Sequence, residues 1–180
     1  MRNSSLLFLL LIFILFFSCR EKADDSKAVY TGPKSELHGI DMIYSDSARK
    51  VVRMVTETQL TLASEDRIYP KEMKLWFYDK TGKISSEVRG DSAHFYRQKN
   101  TYKLIGHVVI HNIEKGEIMK TDEFNWLPVE KRIFTDKAVQ LRTRTELVNG
   151  VGLDAAQDFS SYSLRKVRNS VVQVDGLPTN

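Results

Sequence analysis

The residues best placed to do chemistry are two histidines, His107 and His111. They are four apart in a run that alternates like a strand, so they share one face. At about 3.3 Å per residue they stand roughly 13 Å apart, too far to hold one metal ion without a bulge. A carboxylate such as Asp122 would have to complete the shell, and surface or turn histidines are the favoured reading. Two Thr-Asp steps, Thr121-Asp122 and Thr135-Asp136, could pass for paired carboxylates. They read instead as turn or edge residues whose side chains satisfy backbone N–H groups. The chain has no G-x-S-x-G, no P-loop, no H-E-x-x-H and no C-x-x-C. No catalytic residue, metal site or cofactor is therefore assigned.

Aromatic side chains are the other chemical resource. Trp76, Phe77, Phe95, Phe124, Trp126 and Phe134 all fall in runs that read as strands. Most should be plain core. A partly open roll could instead line a groove with them and take an apolar ligand.

The elements that must position these residues are short strands. From Thr101 to Leu153, runs rich in Val, Ile, Phe, Trp, Tyr and Thr alternate with turn chemistry. Turns are expected at Asn112 to Gly116, at Leu127 to Glu130 and at Asn149-Gly150. A weak repeat of 30 residues places Tyr96 and Gly106 on Trp126 and Asp136, Leu104 on Phe134, and Val109 on Val139. Upstream, strands are expected at Ile40 to Tyr44, Lys50 to Thr56, Gln59 to Ala63, Met73 to Tyr78, Lys83 to Arg89 and Ser92 to Tyr96. Asp46-Ser47, Asp79 to Gly82, Gly90-Asp91 and Arg97 to Asn100 supply the turns. Phe159 to Lys166 and Val171 to Val174 close the fold, and 176–180 reads as a frayed tail. No stretch outside the N-terminal apolar run carries long helical periodicity, so the domain is expected to be all-β: a sandwich, roll or barrel.

With 180 residues and 42% apolar content, one core is the expectation. Net charge is +4, with no basic block or stripe, which excludes a nucleic-acid surface. Arg2 precedes a twelve-residue apolar run, Leu6 to Phe17, too short to span a bilayer easily and suited to a signal peptide. Ser18 and the only cysteine, Cys19, follow it. This resembles a bacterial lipoprotein lipobox, which implies cleavage before Cys19 and lipidation of its sulfur. The other reading is an uncleaved signal anchor with an incidental thiol. Either way an exported domain is tethered to a membrane. Residues 1–18 are thus expected to be a signal peptide, 19–35 a lipidated cysteine with a polar tether, and 36–176 the exported all-β domain.

Together these parts resemble the LptC family, the periplasmic component of the lipopolysaccharide export system. The order of anchor, tether and β domain carries the likeness, with Leu104-x-Gly106-His107-Val108-x-Ile110, then Thr121-Asp122 and Thr135-Asp136, and Gly150-x-Gly152-Leu153 near the end. The resemblance implies a twisted antiparallel β-roll, jelly-roll-like and of the OstA/LptA type, with no enzymatic activity. It implies that acyl chains of lipopolysaccharide pass along an internal slot. Lipid would arrive from the inner-membrane ABC transporter (LptB, LptF, LptG) and leave to a periplasmic LptA-like protein at the C-terminal edge. The site would be the periplasmic face of the inner membrane of a Gram-negative bacterium. Alternation marks Leu104, Val108, Ile110, Phe124, Trp126, Phe134, Val139 and Leu141 as groove candidates, though a one-residue slip would exchange the faces. Gly106, Gly150 and Gly152 would permit close backbone approach, a bulge or, for the last two, a hairpin turn. The alternatives are a structural β lipoprotein that scaffolds an envelope complex, and a metal-dependent lipoprotein enzyme built on His107, His111 and Asp122.

Overall fold

The computed structural model describes residues 30–172, and every regular element among them is a strand. In chain order these are β1 (Ser35–Asp46), β2 (Arg49–Thr61), β3 (Arg67–Tyr69), β4 (Met73–Tyr78), β5 (Ile84–Gly90), β6 (Ser92–Tyr96), β7 (Thr101–Asn112), β8 (Glu117–Leu127), β9 (Arg132–Arg142), β10 (Glu146–Ala156) and β11 (Tyr162–Val172). All pairings are antiparallel.

One sheet runs β11-β10-β9-β8-β7-β5-β4-β2, with β1 on the outer edge of β2. Between β2 and β7 the sheet forks. The β4–β5 pair bridges them at one level, and the β3–β6 pair bridges them at another. The fork explains why β2 is a single strand where two were expected. β1 pairs along its whole length, Ser35 with Thr61 through Asp46 with Arg49. On the other edge, β2 changes partner from β4 at Thr56 to β3 at Leu60. The polar Glu57-Thr58 step that looks like a break marks this exchange. β3 itself has only three residues, too few for alternation to reveal.

Two other expectations are corrected. Asn149-Gly150 is not a turn but lies inside β10; a Cβ on Gly150 would stand 3.0 Å from the Lys166 carbonyl of β11. The turn sits at Thr143 to Glu146. There the Thr143 hydroxyl accepts from the N–H groups of Thr145 (3.3 Å) and Glu146 (3.0 Å), so a side chain does the work expected of glycine. The last two predicted strands are one, β11, entered through a turn at Ala156 to Ser161.

Across β7 to β10 runs a line of irregular pairing. Register shifts occur between Ile105 and Val108 of β7, between Thr121 and Asn125 of β8, and between Val151 and Leu153 of β10. Gly106 (φ 81°), His107 (φ 40°) and Gly152 (φ 83°) lie on this line in left-handed conformations. Bulges add an unpaired residue and sharpen local bend and twist. Here they align into a crease that folds the sheet on itself, so each long strand serves both layers. Phe77, in register with Ser86 and so with Asn112 on one side of the crease, meets Trp126 from the other side edge-on at 5.6 Å. The core fills the space between the two layers.

The Thr-Asp steps sit in mid-strand on this crease, not at turns or edges. Thr135 is fully buried and its hydroxyl accepts from the Lys137 N–H at 3.1 Å, supplying the partner that the bulge removes. Thr121 donates to the Glu123 carbonyl at 3.3 Å.

Candidate functional site

The inner face of the folded sheet is continuous from strand to strand. On one side of the crease an inward row reads Phe95, Tyr102, Trp126, Ile133, Ala155 in successive hydrogen-bonded strands. On the other, Met54, Leu75, Val88, Ile110, Met119 and Leu141 form a parallel row. All of these side chains are buried.

Seven of the eight groove candidates belong to this interior: Leu104, Val108, Ile110, Phe124, Trp126, Val139 and Leu141 are each 5% exposed or less. Phe134 is placed on the other face. The inward position there is Ile133, and Phe134 is half-buried outside, beneath the Arg132 guanidinium at 5.0 Å. The reason is the repeat length. Inward residues of β7 and β9 correspond as Tyr102 to Ile133, Leu104 to Thr135, Val108 to Val139 and Ile110 to Leu141, so the offset is 31 residues, not 30. A one-residue error exchanges faces.

Trp126 is the hub. Its ring stacks on Tyr102 at 5.1 Å and meets Phe77 and Tyr44 edge-on at 5.6 and 6.1 Å. Its Nε1–H donates to Gln157 Oε1 at 3.3 Å, so the indole is satisfied while buried. Opposite the crease, Phe159 packs edge-on to Phe77 at 6.1 Å, and the Asn112 amide donates to the Phe159 carbonyl at 3.1 Å. Asp46 and Lys131 pair at 2.6 Å between the β1–β2 turn and the β8–β9 turn. Together these contacts hold the layers shut on that side. Phe159 was missed as a core residue because it lies in a turn with φ 56°, where no periodicity can flag it.

The glycines do two different jobs. Gly106 and Gly152 leave room for a neighbour's side chain over bare backbone. A Cβ on Gly106 would meet Asp91 Oδ2 at 2.6 Å, and one on Gly152 would meet Arg165 Nε at 2.6 Å. Asp91 uses that seat to clamp the β5–β6 turn onto the crease: its N–H donates to the Gly106 carbonyl at 3.0 Å, and its carboxylate accepts from His107 Nδ1 at 2.6 Å. The hydrogen bond to Asp91, followed by its negative charge, raises the His107 pKa. Arg165 uses its seat to tie β11 to β9, donating to the Thr135 carbonyl at 2.7 Å and to Asp136 at 2.5 Å. Gly150 instead lets the β11 backbone approach.

His107 is thus part of a structural clamp, and His111 lies on the outer face in register with Glu87. Among the described residues no group of three His, Cys, Asp or Glu side chains could hold a metal ion. Cys19 and the signal segment lie outside the described residues.

The outer edges of the sheet, β1 and β11, each have one strand partner among the described residues. Both expose apolar side chains: Leu37, Ile43 and Tyr44 on β1, Val167 and Val171 on β11. A family model described as lipopolysaccharide-assembly, LptC-related, matches residues 8–170. No curated protein matches the chain.

Proposed function

This chain belongs to the LptC-related family of lipopolysaccharide-assembly proteins, and on that premise we propose that it is a passive conduit, sheltering acyl chains between its two layers. Membership puts it in lipopolysaccharide transport and assembly in the Gram-negative cell envelope, in a family of transport components. The finer steps are our reading. Lipid arrives from an inner-membrane ABC transporter (LptB, LptF, LptG) and leaves to an LptA-like periplasmic protein. The domain is held at the periplasmic face of the inner membrane through a lipidated Cys19, with residues 1–18 removed and 19–35 as tether.

The observation that carries this reading is the unbroken apolar interior, which runs across the strands between two sheet edges that bear exposed apolar side chains. An edge strand offers unpaired N–H and C=O groups to a neighbour's edge. Stacked rolls would then join their interiors end to end. Inside, the side chains pack against one another, so lipid enters by parting the layers on the side opposite the crease. Asp46–Lys131, Asn112–Phe159, Lys115–Ser160, Glu117–Tyr162 and the aromatic contacts of Trp126 and Phe77 have to give way there. Such a mouth suits a conduit. Each sheltered methylene gains about 0.8 kcal/mol, and a rigid closed cavity would never release its cargo.

In-cell photocrosslinking tests the reading. A photoreactive residue replaces Leu104 or Trp126 inside, and Phe134 or Lys80 outside. Lipopolysaccharide adducts at the inner pair alone are expected. Adducts at neither inner position, in folded protein at normal abundance, would refute the conduit and favour a scaffold.

A further inference from the structure

The inward row that passes through Trp126 ends on a charge. Phe95 pairs with Arg67 of β3, so the position that continues Ile133, Trp126, Tyr102 and Phe95 is an arginine. Arg67 is half-buried, with its guanidinium over the Phe95 ring at 5.1 Å. Its neighbouring acids are engaged elsewhere: Glu65 pairs with Lys34 at 2.5 Å, and Asp66 accepts from the Arg97 N–H at 2.8 Å. Among the described residues no carboxylate forms an ion pair with Arg67.

Beside it lies a second unspent group. Tyr69, two residues on and on the same face, is fully buried, and its hydroxyl makes no hydrogen bond of ordinary length and angle among the described residues. Its ring stacks on Tyr102 at 6.4 Å. Burial raises the pKa of both phenols, and the Arg67 guanidinium opposes it through hydrogen bonding and charge, so guanidinium and hydroxyls share one neighbourhood within reach of one another. A buried hydroxyl without a well-aligned partner is costly, and a half-buried arginine without a counter-charge adds to that cost. Placing both at the end of an apolar row makes sense if a ligand completes them.

The geometry points to an anion site at the β3 end of the interior, in which Arg67 and the Tyr69 hydroxyl bind a phosphate carried by the lipid whose chains occupy the apolar row. Arginine's planar fork suits phosphate oxygens, and stacking on Phe95 holds that fork in place. The site rests on the conduit reading and refines it, because it fixes which end of the amphiphile lies at β3.

Binding by the full chain in detergent is measured with three probes: diphosphorylated lipid A, the same lipid with its phosphates removed, and inorganic phosphate alone. The intact chain should prefer the phosphorylated lipid. Arg67→Met keeps the aliphatic stem, and should remove about tenfold of affinity for that lipid while leaving the dephosphorylated one unchanged. Arg67→Lys should restore part of the preference. Tyr69→Phe preserves the packing and should lose a smaller share of it; this variant decides the matter if Arg67→Met fails to fold. Equal binding of both lipids by the intact chain, or a preference untouched by Tyr69→Phe and Arg67→Met, overturns the site and leaves the conduit standing. Binding of neither lipid refutes the conduit itself. Arg67-dependent capture of inorganic phosphate as tight as that of the lipid would overturn the assignment to a headgroup.

Discussion

Replacing Gly152 by alanine asks whether the crease depends on a side chain seated over bare backbone. Two costs can be separated. The first is conformational: φ is 83° at Gly152, a region that costs an L-residue about 1–2 kcal/mol. The second is displacement. The new methyl would stand 2.6 Å from Arg165 Nε, 2.8 Å from Cζ and 2.9 Å from Nη2. The guanidinium must lift, losing its 2.7 Å bond to the Thr135 carbonyl and its contact with Asp136. A bond from a charged donor is worth about 1.5–3 kcal/mol, and the half-exposed arginine argues for the lower end. The Asp136 pair is well exposed and adds less than about 1 kcal/mol. The sum is about 3 kcal/mol, or a fall in Tm of roughly 6–12 °C for a domain of this size. Gly82 is the control. Its φ is 85°, but nothing lies within 4 Å of a Cβ there, so Gly82→Ala carries only the conformational cost. Thermal melts of both variants, alone and with Arg165→Met, form a double-mutant cycle. In the Arg165→Met background, Gly152→Ala should cost no more than Gly82→Ala. Equal falls for the two glycine variants in the wild-type background would refute the argument.

Other consequences can be measured on the same protein. Leu104→Ala empties a fully buried position next to the crease and should cost about 2–5 kcal/mol in urea unfolding; a cost under about 1 kcal/mol would mean that the interior collapses freely. Thr135→Val leaves the Lys137 N–H without its partner and should cost about 1–3 kcal/mol despite equal size. Because Asp91 raises the His107 pKa above 6.5, the clamp's stabilisation is fully present below that pH and is lost as pH rises through the higher folded value. The urea midpoint of His107→Gln should therefore lack that part of the loss between about pH 5 and about pH 9; an unchanged pH profile would remove His107 from the clamp. Tyr69→Phe, which deletes an unpartnered buried hydroxyl, should leave the empty protein as stable as before or more so by chemical denaturation.

Much of this fold is legible in the residues because the signals are local. Alternation in Met-Lys-Leu-Trp-Phe-Tyr marks β4 at its exact bounds, and Asp79 to Gly82 marks the turn after it. The inward sets of β7 and β9 follow from the same period of two. The residues that escaped notice are those whose role is set from a distance. Arg67 looks like a solvent-facing charge until β3 is paired with β6. Phe159 looks like the start of a closing strand, and Asn149-Gly150 looks like a turn, because both signals depend on what lies opposite.

The sequence alone determined that the domain is built of strands, where most of them turn, and that its aromatics supply an apolar interior. These depend on each residue and its near neighbours along the chain. Tertiary structure alone decided which face each strand turns inward beyond the crease. The bulge at Gly106 and His107 and the changes of register across β8 to β10 are pairing events between strands. In β8 the inward side passes from Met119 and Thr121 to Phe124 and Trp126, a change of parity that no period of two within the strand records.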